Sequence, residues 1–107
     1  MEISQYHIYL VNLDPEPSKD AKNTRGCVVV SPDEMNRNIQ NVIIAPLSSA
    51  GPKYPTRVSV NFLNGERAVV LDQIRTVDKV RLVKKIGEIE STAQKEILEL
   101  LQELFAK

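Results

Sequence analysis

At 107 residues, 42% hydrophobic and 26% charged, the chain has the make-up of one small globular domain, which excludes a disordered or membrane-spanning class. A domain of this size buries roughly 65% of the surface its unfolded chain would expose, enough for a single modest core. The formal net charge is zero, so the overall balance argues for neither a nucleic-acid nor an acidic partner.

Strand signals run to about residue 90. Tyr6 to Leu13 is aromatic and branched, with Tyr6, Ile8 and Leu10 on one face and His7, Tyr9 and Val11 on the other. Asp14-Pro15-Glu16-Pro17-Ser18 ends it, because proline removes donors and restricts the residue before it. Val28-Val29-Val30 centres a second strand that stops at Ser31-Pro32-Asp33, and Val42 to Ala45 is a third, followed by Pro46 and Ser48.

Arg57 to Phe62 alternates polar and apolar residues, the pattern of a half-buried strand. Asn64-Gly65 signals a turn into a buried fifth strand, Ala68 to Leu71, and Lys85 to Ile89 adds a short sixth. The period then changes. Ile97, Leu100, Leu101, Leu104 and Phe105 fall at helical spacing, with Ser91 and Gln94 placed as a capping box. The whole of 1–107 reads as a single domain. The stretches 14–25 and 46–56 are its long loops, where function tends to gather.

Charge is unevenly spread. Residues 1–87 carry 12 Lys/Arg against 9 Asp/Glu, and residues 88–107 carry 2 against 5. The basic body permits an anionic ligand. The one cysteine, Cys27, lies in an apolar run and cannot form an internal disulfide, which fits a reducing compartment. With no leader-like N-terminus and no long apolar run, the expected location is the cytoplasm, away from a membrane.

Motifs for nucleotide or metal chemistry are missing: no GxGxxG, P-loop, CxxC or HExxH occurs. His7 is the only histidine, so no multi-histidine metal site forms within one chain, and its place in a strand suits a packed or edge side chain. What remains are polar residues at strand ends: Asp20 and Arg25, Ser48, then Asp72, Gln73 and Arg75. Position alone favours a surface ion pair for Arg25 and a turn hydroxyl for Ser48. Asp72 and Gln73 follow a buried strand directly and need partners, structural or bound. Lys79, Arg81, Lys84 and Lys85 form a basic cluster that is a solvated face or, with Arg25, part of a phosphate-tracking groove. Tyr54 is placed to stack on a base or to anchor its loop.

Read in order, these segments resemble the MazF/PemK family of toxin endoribonucleases. Tyr9 to Pro15 (YLVNLDP) is similar to the first family strand and its DP turn, and RGCVVVSPDEMN from Arg25 to the RPVVVLSPD block. Val42 to Ser49 (VIIAPLSS) is similar to the VAPITS strand and turn, and LDQIRTVDK from Leu71 to the most recognisable family segment. The resemblance covers nearly the whole chain. It implies a mainly β, SH3-like antiparallel barrel with a C-terminal helix, working as a homodimer. It also implies cleavage of single-stranded RNA at short sequences without metal or cofactor, with a cognate antitoxin as inhibitor.

Carried over residue by residue, Arg25 and Ser48 stand where the family contacts the scissile phosphate. Asp20 stands where a glutamate is usual, and Asp72 and Gln73 where bases are contacted. Ser49, Tyr54 and Arg75 join them as supporting or RNA-binding candidates. Gly26 replaces the usual proline, and Ser48 the usual threonine. Two other readings of the same barrel are a binding module that has lost its chemistry and a toxin directed at a topoisomerase.

Overall fold

Where the apolar residues alternate, and where they do not, decides the path of this chain. The computed structural model describes residues 2–15, 23–49 and 54–106. Their elements are β1 (His7–Asn12), β2 (Thr24–Val29), α1 (Asp33–Asn38), β3 (Asn41–Ser49), β4 (Arg57–Phe62), β5 (Gly65–Val70), β6 (Arg75–Asp78), β7 (Leu82–Glu88) and α2 (Ser91–Phe105). Short 3-10 turns at Leu71–Gln73 and Lys79–Arg81 lead into β6 and β7. The strands are antiparallel in the order β4-β5-β3-β2-β1-β7, with β6 paired to the first half of β3. This is the expected barrel-like sheet with a C-terminal helix, but the sheet is not closed: β4 and β7 remain its edges.

β3 is the hinge of the architecture, and it runs further than the sequence suggests. Pro46, expected to end it, sits inside it opposite Cys27 of β2. On the other side of β3, pairing with β6 stops at Ile44 and pairing with β5 starts at Leu47. Pro46 therefore falls in the gap between two ladders, where its missing N–H deprives no partner strand. The same gap lets β3 belong to two sheets.

The core lies on both faces of β1 and β2. Ile8 and Val28 pack with Ala45, Leu47, Val58 and Val69 inside the fold, and Ala93 and Ile97 of α2 close that cluster. Tyr9, Val11, Cys27, Val29, Ile44 and Leu82 form a second cluster on the opposite face. Burial on both faces is why Val28 to Val30 is continuously apolar rather than alternating. Leu100 and Leu101 are half-buried, whereas Leu104 and Phe105 of the same stripe stay exposed.

Three local expectations change. The β4–β5 hairpin forms, but its two-residue turn is Leu63-Asn64, at φ 52° and 58°, rather than Asn64-Gly65. Register decides this: pairing Phe62 with Gly65 keeps Val58 and Val69 opposite each other in the core. The capping box at α2 is absent, since Ser91 is already helical and Gln94 instead donates to the Ile89 carbonyl at 2.7 Å. Finally, α1 and β6 have no periodic signal of their own in the sequence. α1 is pinned by a buried exchange in which Ser31 Oγ donates to Asn36 Oδ1, Asn36 Nδ2 to the Ser31 carbonyl, and Ile43 N–H to Ser31 Oγ.

Candidate active site

Arg25 and Ser48 leave adjacent strands at the same end. The β2–β3 ladder stops where Cys27 meets Pro46, and Arg25 and Ser48 each lie two residues beyond it, at the same end of the pair. Arg25 Nε donates to the Leu47 carbonyl at 3.2 Å, which fixes the guanidinium beside the peptide group leading into Ser48. Its terminal nitrogens bond nothing further among the described residues. Ser48 Oγ is buried, and no described residue reaches it with a hydrogen bond. A buried hydroxyl without a partner costs stability, so it is the sort of group retained for a ligand.

Arg25 also borders a pocket of about 190 Å³, where Gln73 and Arg75 join it over a floor of Cys27, Ile44 and Pro46. The topology explains the meeting: β2 delivers Arg25, and the turn after β5 brings Gln73 and Arg75 back alongside β3. Two guanidiniums and an amide over an apolar floor suit a phosphodiester with an attached base. Burial raises the Cys27 thiol pKa to about 11, while the charges of Arg25 and Arg75 pull it down. The thiol is therefore protonated, and it donates to the Arg25 carbonyl at 3.6 Å.

The other candidates divide. Asp72 does not face Arg25; its Oδ1 accepts from Thr56 Oγ1 at 2.9 Å and lies 3.7 Å from Arg57 Nε. Tyr54 belongs to the same group, with Arg57 Cζ 4.7 Å from its ring centroid. Ser49 lies opposite Arg67 at the end of β3. Asp20 lies outside the described residues.

Of the basic cluster, Arg81 is engaged in the fold, donating to the carbonyls of Asn12, Asp14 and Pro15. His7 is a strand histidine, Nε2 3.7 Å from Glu88. Arg57, Thr56 and Arg67 escaped the sequence reading. Each occupies an ordinary position in or beside a half-polar strand, and only register reveals its neighbours.

Residues 4–105 match the model of the PemK-like, MazF-like toxins of type II toxin-antitoxin systems. The chain is 29% identical over 96 residues to a protein of Staphylococcus saprophyticus named endoribonuclease MazF, covering 84% of this chain and 80% of that one. Its fold is similar to that of MazF in the MazE–MazF structure from Deinococcus radiodurans, with a TM-score of 0.80 at 20% identity over 99% of this chain and 97% of that one. It is also similar to an endoribonuclease in complex with its cognate antitoxin from a mycobacterial species, with a TM-score of 0.78 at 22% identity, covering 94% and 92% of the two chains. With the family model spanning nearly its whole length, the chain belongs to the PemK-like, MazF-like toxins of type II toxin-antitoxin systems.

Proposed function

We propose that this toxin is a sequence-selective endoribonuclease that cleaves single-stranded RNA with Arg25 and Ser48 and without a metal. The observation that carries this reading is the hydrogen bond from Arg25 Nε to the Leu47 carbonyl. It holds the Arg25 guanidinium against the peptide group that leads into Ser48, and among the described residues neither its terminal donors nor the Ser48 hydroxyl has a partner. RNA brings its own nucleophile. As the ribose 2′-oxygen bonds to phosphorus, the bond to the 5′-oxygen breaks; the hydroxyl proton is lost and the leaving oxygen gains one, so no water is consumed. The products are a 2′,3′-cyclic phosphate and a 5′-hydroxyl.

In this scheme Arg25 stabilises the charge that develops on the phosphorane oxygens, and Ser48 donates one further hydrogen bond. Gln73 and Arg75 hold the adjoining nucleotide in the pocket they share with Arg25. Tyr54, with one face on Arg57, offers the other for stacking. Ser49 and Asp20 complete the supporting set. A cognate antitoxin protein blocks the site in the cytoplasm, and the working form is a homodimer.

Incubating the purified protein with a long single-stranded RNA and a chelator tests the reading. Discrete fragments whose 5′ ends accept phosphate directly are expected, with the equivalent DNA left intact. No cleavage, or cleavage that stops with chelator, overturns it.

A further inference from the structure

The open end of the fold holds a second recess that the Arg25 pocket does not include. Its volume is about 220 Å³, and its walls are Leu10, Leu47, Phe62, Leu63 and Ile86, with Arg67 the only charged side chain among the described residues that line it. Ser48 and Ser49 border it too, so it abuts the proposed cleavage pair.

Arg67 is on the inner face of β5. It lies opposite Val60, in the row of Val58 and Val69, which are core residues. An inward arginine at the end of a core-facing row needs an acceptor, and among the described residues it has neither hydrogen bond nor ion pair. Its guanidinium instead lies against Gly65, where a Cβ would meet it at 3.3 to 3.6 Å. Leu63 adds a second oddity at the rim. It is 66% exposed and holds a left-handed backbone conformation, φ 52°, that disfavours a bulky residue. Register explains the conformation but not an apolar side chain there, since asparagine or glycine suits such a turn better.

The shape and chemistry point to one flat ring system. An apolar cavity of about 150 Å³ takes a benzene ring, so this recess has room for a single base. Leucine and isoleucine side chains and the Phe62 ring line it, and Arg67 supplies its charge. Among the bases, guanine presents paired acceptors, O6 and N7, that match an arginine fork. We propose that the recess under Arg67 is a guanine subsite for the nucleotide next to the scissile phosphate. The assignment of that nucleotide rests on the reading of Arg25 and Ser48 given above.

Two measurements on the full chain test it. In an NMR titration, guanosine monophosphate is expected to shift the Leu63 methyls and the Arg67 Nε–H at concentrations about tenfold below those needed by adenosine monophosphate. In cleavage of a randomised RNA pool, the wild type is expected to favour guanine at one position flanking the cut. Arg67→Met and Arg67→Lys should lower that preference by about tenfold and spare the others, because lysine keeps the charge but not the fork. Equal response to the two nucleotides, or an unaltered profile in both variants, overturns the subsite. So does an unaltered profile joined to weaker binding of an acidic, leucine-rich peptide, which makes the recess a protein-docking surface. If the wild type cuts no RNA, the cleavage reading fails, while the titration still decides the guanine site.

Discussion

The ring of Phe62 occupies the space that a side chain on Gly87 would need: a Cβ there would approach Phe62 Cε1 to 2.6 Å and Cζ to 3.3 Å. These residues belong to β4 and β7, the two edges of the open sheet, which no backbone ladder joins. The aromatic-on-glycine contact is thus one of the side-chain contacts that bridge the two edges. Gly87→Ala is expected to cost about 1–3 kcal/mol, as overpacking does, read as a lower urea midpoint. Phe62→Leu in that background should recover much of the loss. An unchanged midpoint in Gly87→Ala means the seam is held elsewhere.

Arg25 and Ser48 are expected to part company on stability. Arg25→Ala should lower RNA cleavage roughly 10²- to 10³-fold with an unchanged circular dichroism spectrum, the cost of one lost transition-state contact. Arg25→Lys should fall close to alanine, because an ammonium cannot grip two phosphate oxygens while bonding the Leu47 carbonyl. Ser48→Ala should cost less, about fivefold to tenfold, the worth of one neutral hydrogen bond. Since Ser48 Oγ is buried with no partner among the described residues, the same substitution should raise stability by up to about 1 kcal/mol. A destabilised Ser48→Ala, or one less active than Arg25→Ala, contradicts this assignment.

How much of this was legible beforehand depended on whether the deciding contacts were local. β1, β4 and α2 announce themselves through period two or period 3.6, and β5 through the apolar run Ala68 to Leu71. β6 does not: Arg75–Asp78 buries only Val77 and exists because β3 has a free edge there. Pro46 misled for the same reason, since its tolerance depends on where two other ladders stop. In the site, position alone gives Arg25 and Ser48 ordinary surface and turn roles, and it is the family resemblance that singles them out; Gln73 and Arg75 share a pocket with Arg25. Neither position nor resemblance shows that Asp72 belongs to Thr56 and Arg57, or that Arg67 faces inward, because both follow from pairing across the β4–β5 hairpin.

Arg81 ties the end of β1 to the 3-10 turn before β7. It donates to the Asn12 and Pro15 carbonyls at 3.2 Å each and to that of Asp14. The first loop is anchored at the same place by Leu13 N–H donating to the Asn23 carbonyl at 2.8 Å. Hydrogen bonds from a charged donor are worth roughly 1.5–3 kcal/mol, and these share one side chain. Arg81→Ala should therefore lose about 2 kcal/mol and speed hydrogen exchange at Leu13 more than at Val28, deep in the core. Arg81→Lys should recover only part, since one ammonium cannot span three carbonyls. Equal acceleration at both amides would reduce Arg81 to a general stabiliser.

Cys27 gives the fold an alkaline limit. Its thiol is buried, and that burial raises its pKa to about 11 against the partial opposition of Arg25 and Arg75. In the unfolded chain the thiol ionises near its ordinary value, so between about pH 9 and pH 11 the unfolded state has lost a proton that the folded state still holds. Stability from this group is therefore complete below about pH 9 and declines as pH rises through about 11, by roughly 2–3 kcal/mol in all. Urea midpoints measured across that window should fall for the wild type and fall less steeply for Cys27→Ala, in which burial of Tyr6 and Tyr9 still raises their phenols and costs stability in alkali; the variant starts lower because of the cavity it leaves. Arg75→Ala should steepen the fall, because removing a cation raises the thiol pKa further. A thiolate absorbance that titrates in the folded protein at the ordinary cysteine value would show that burial does not govern this group.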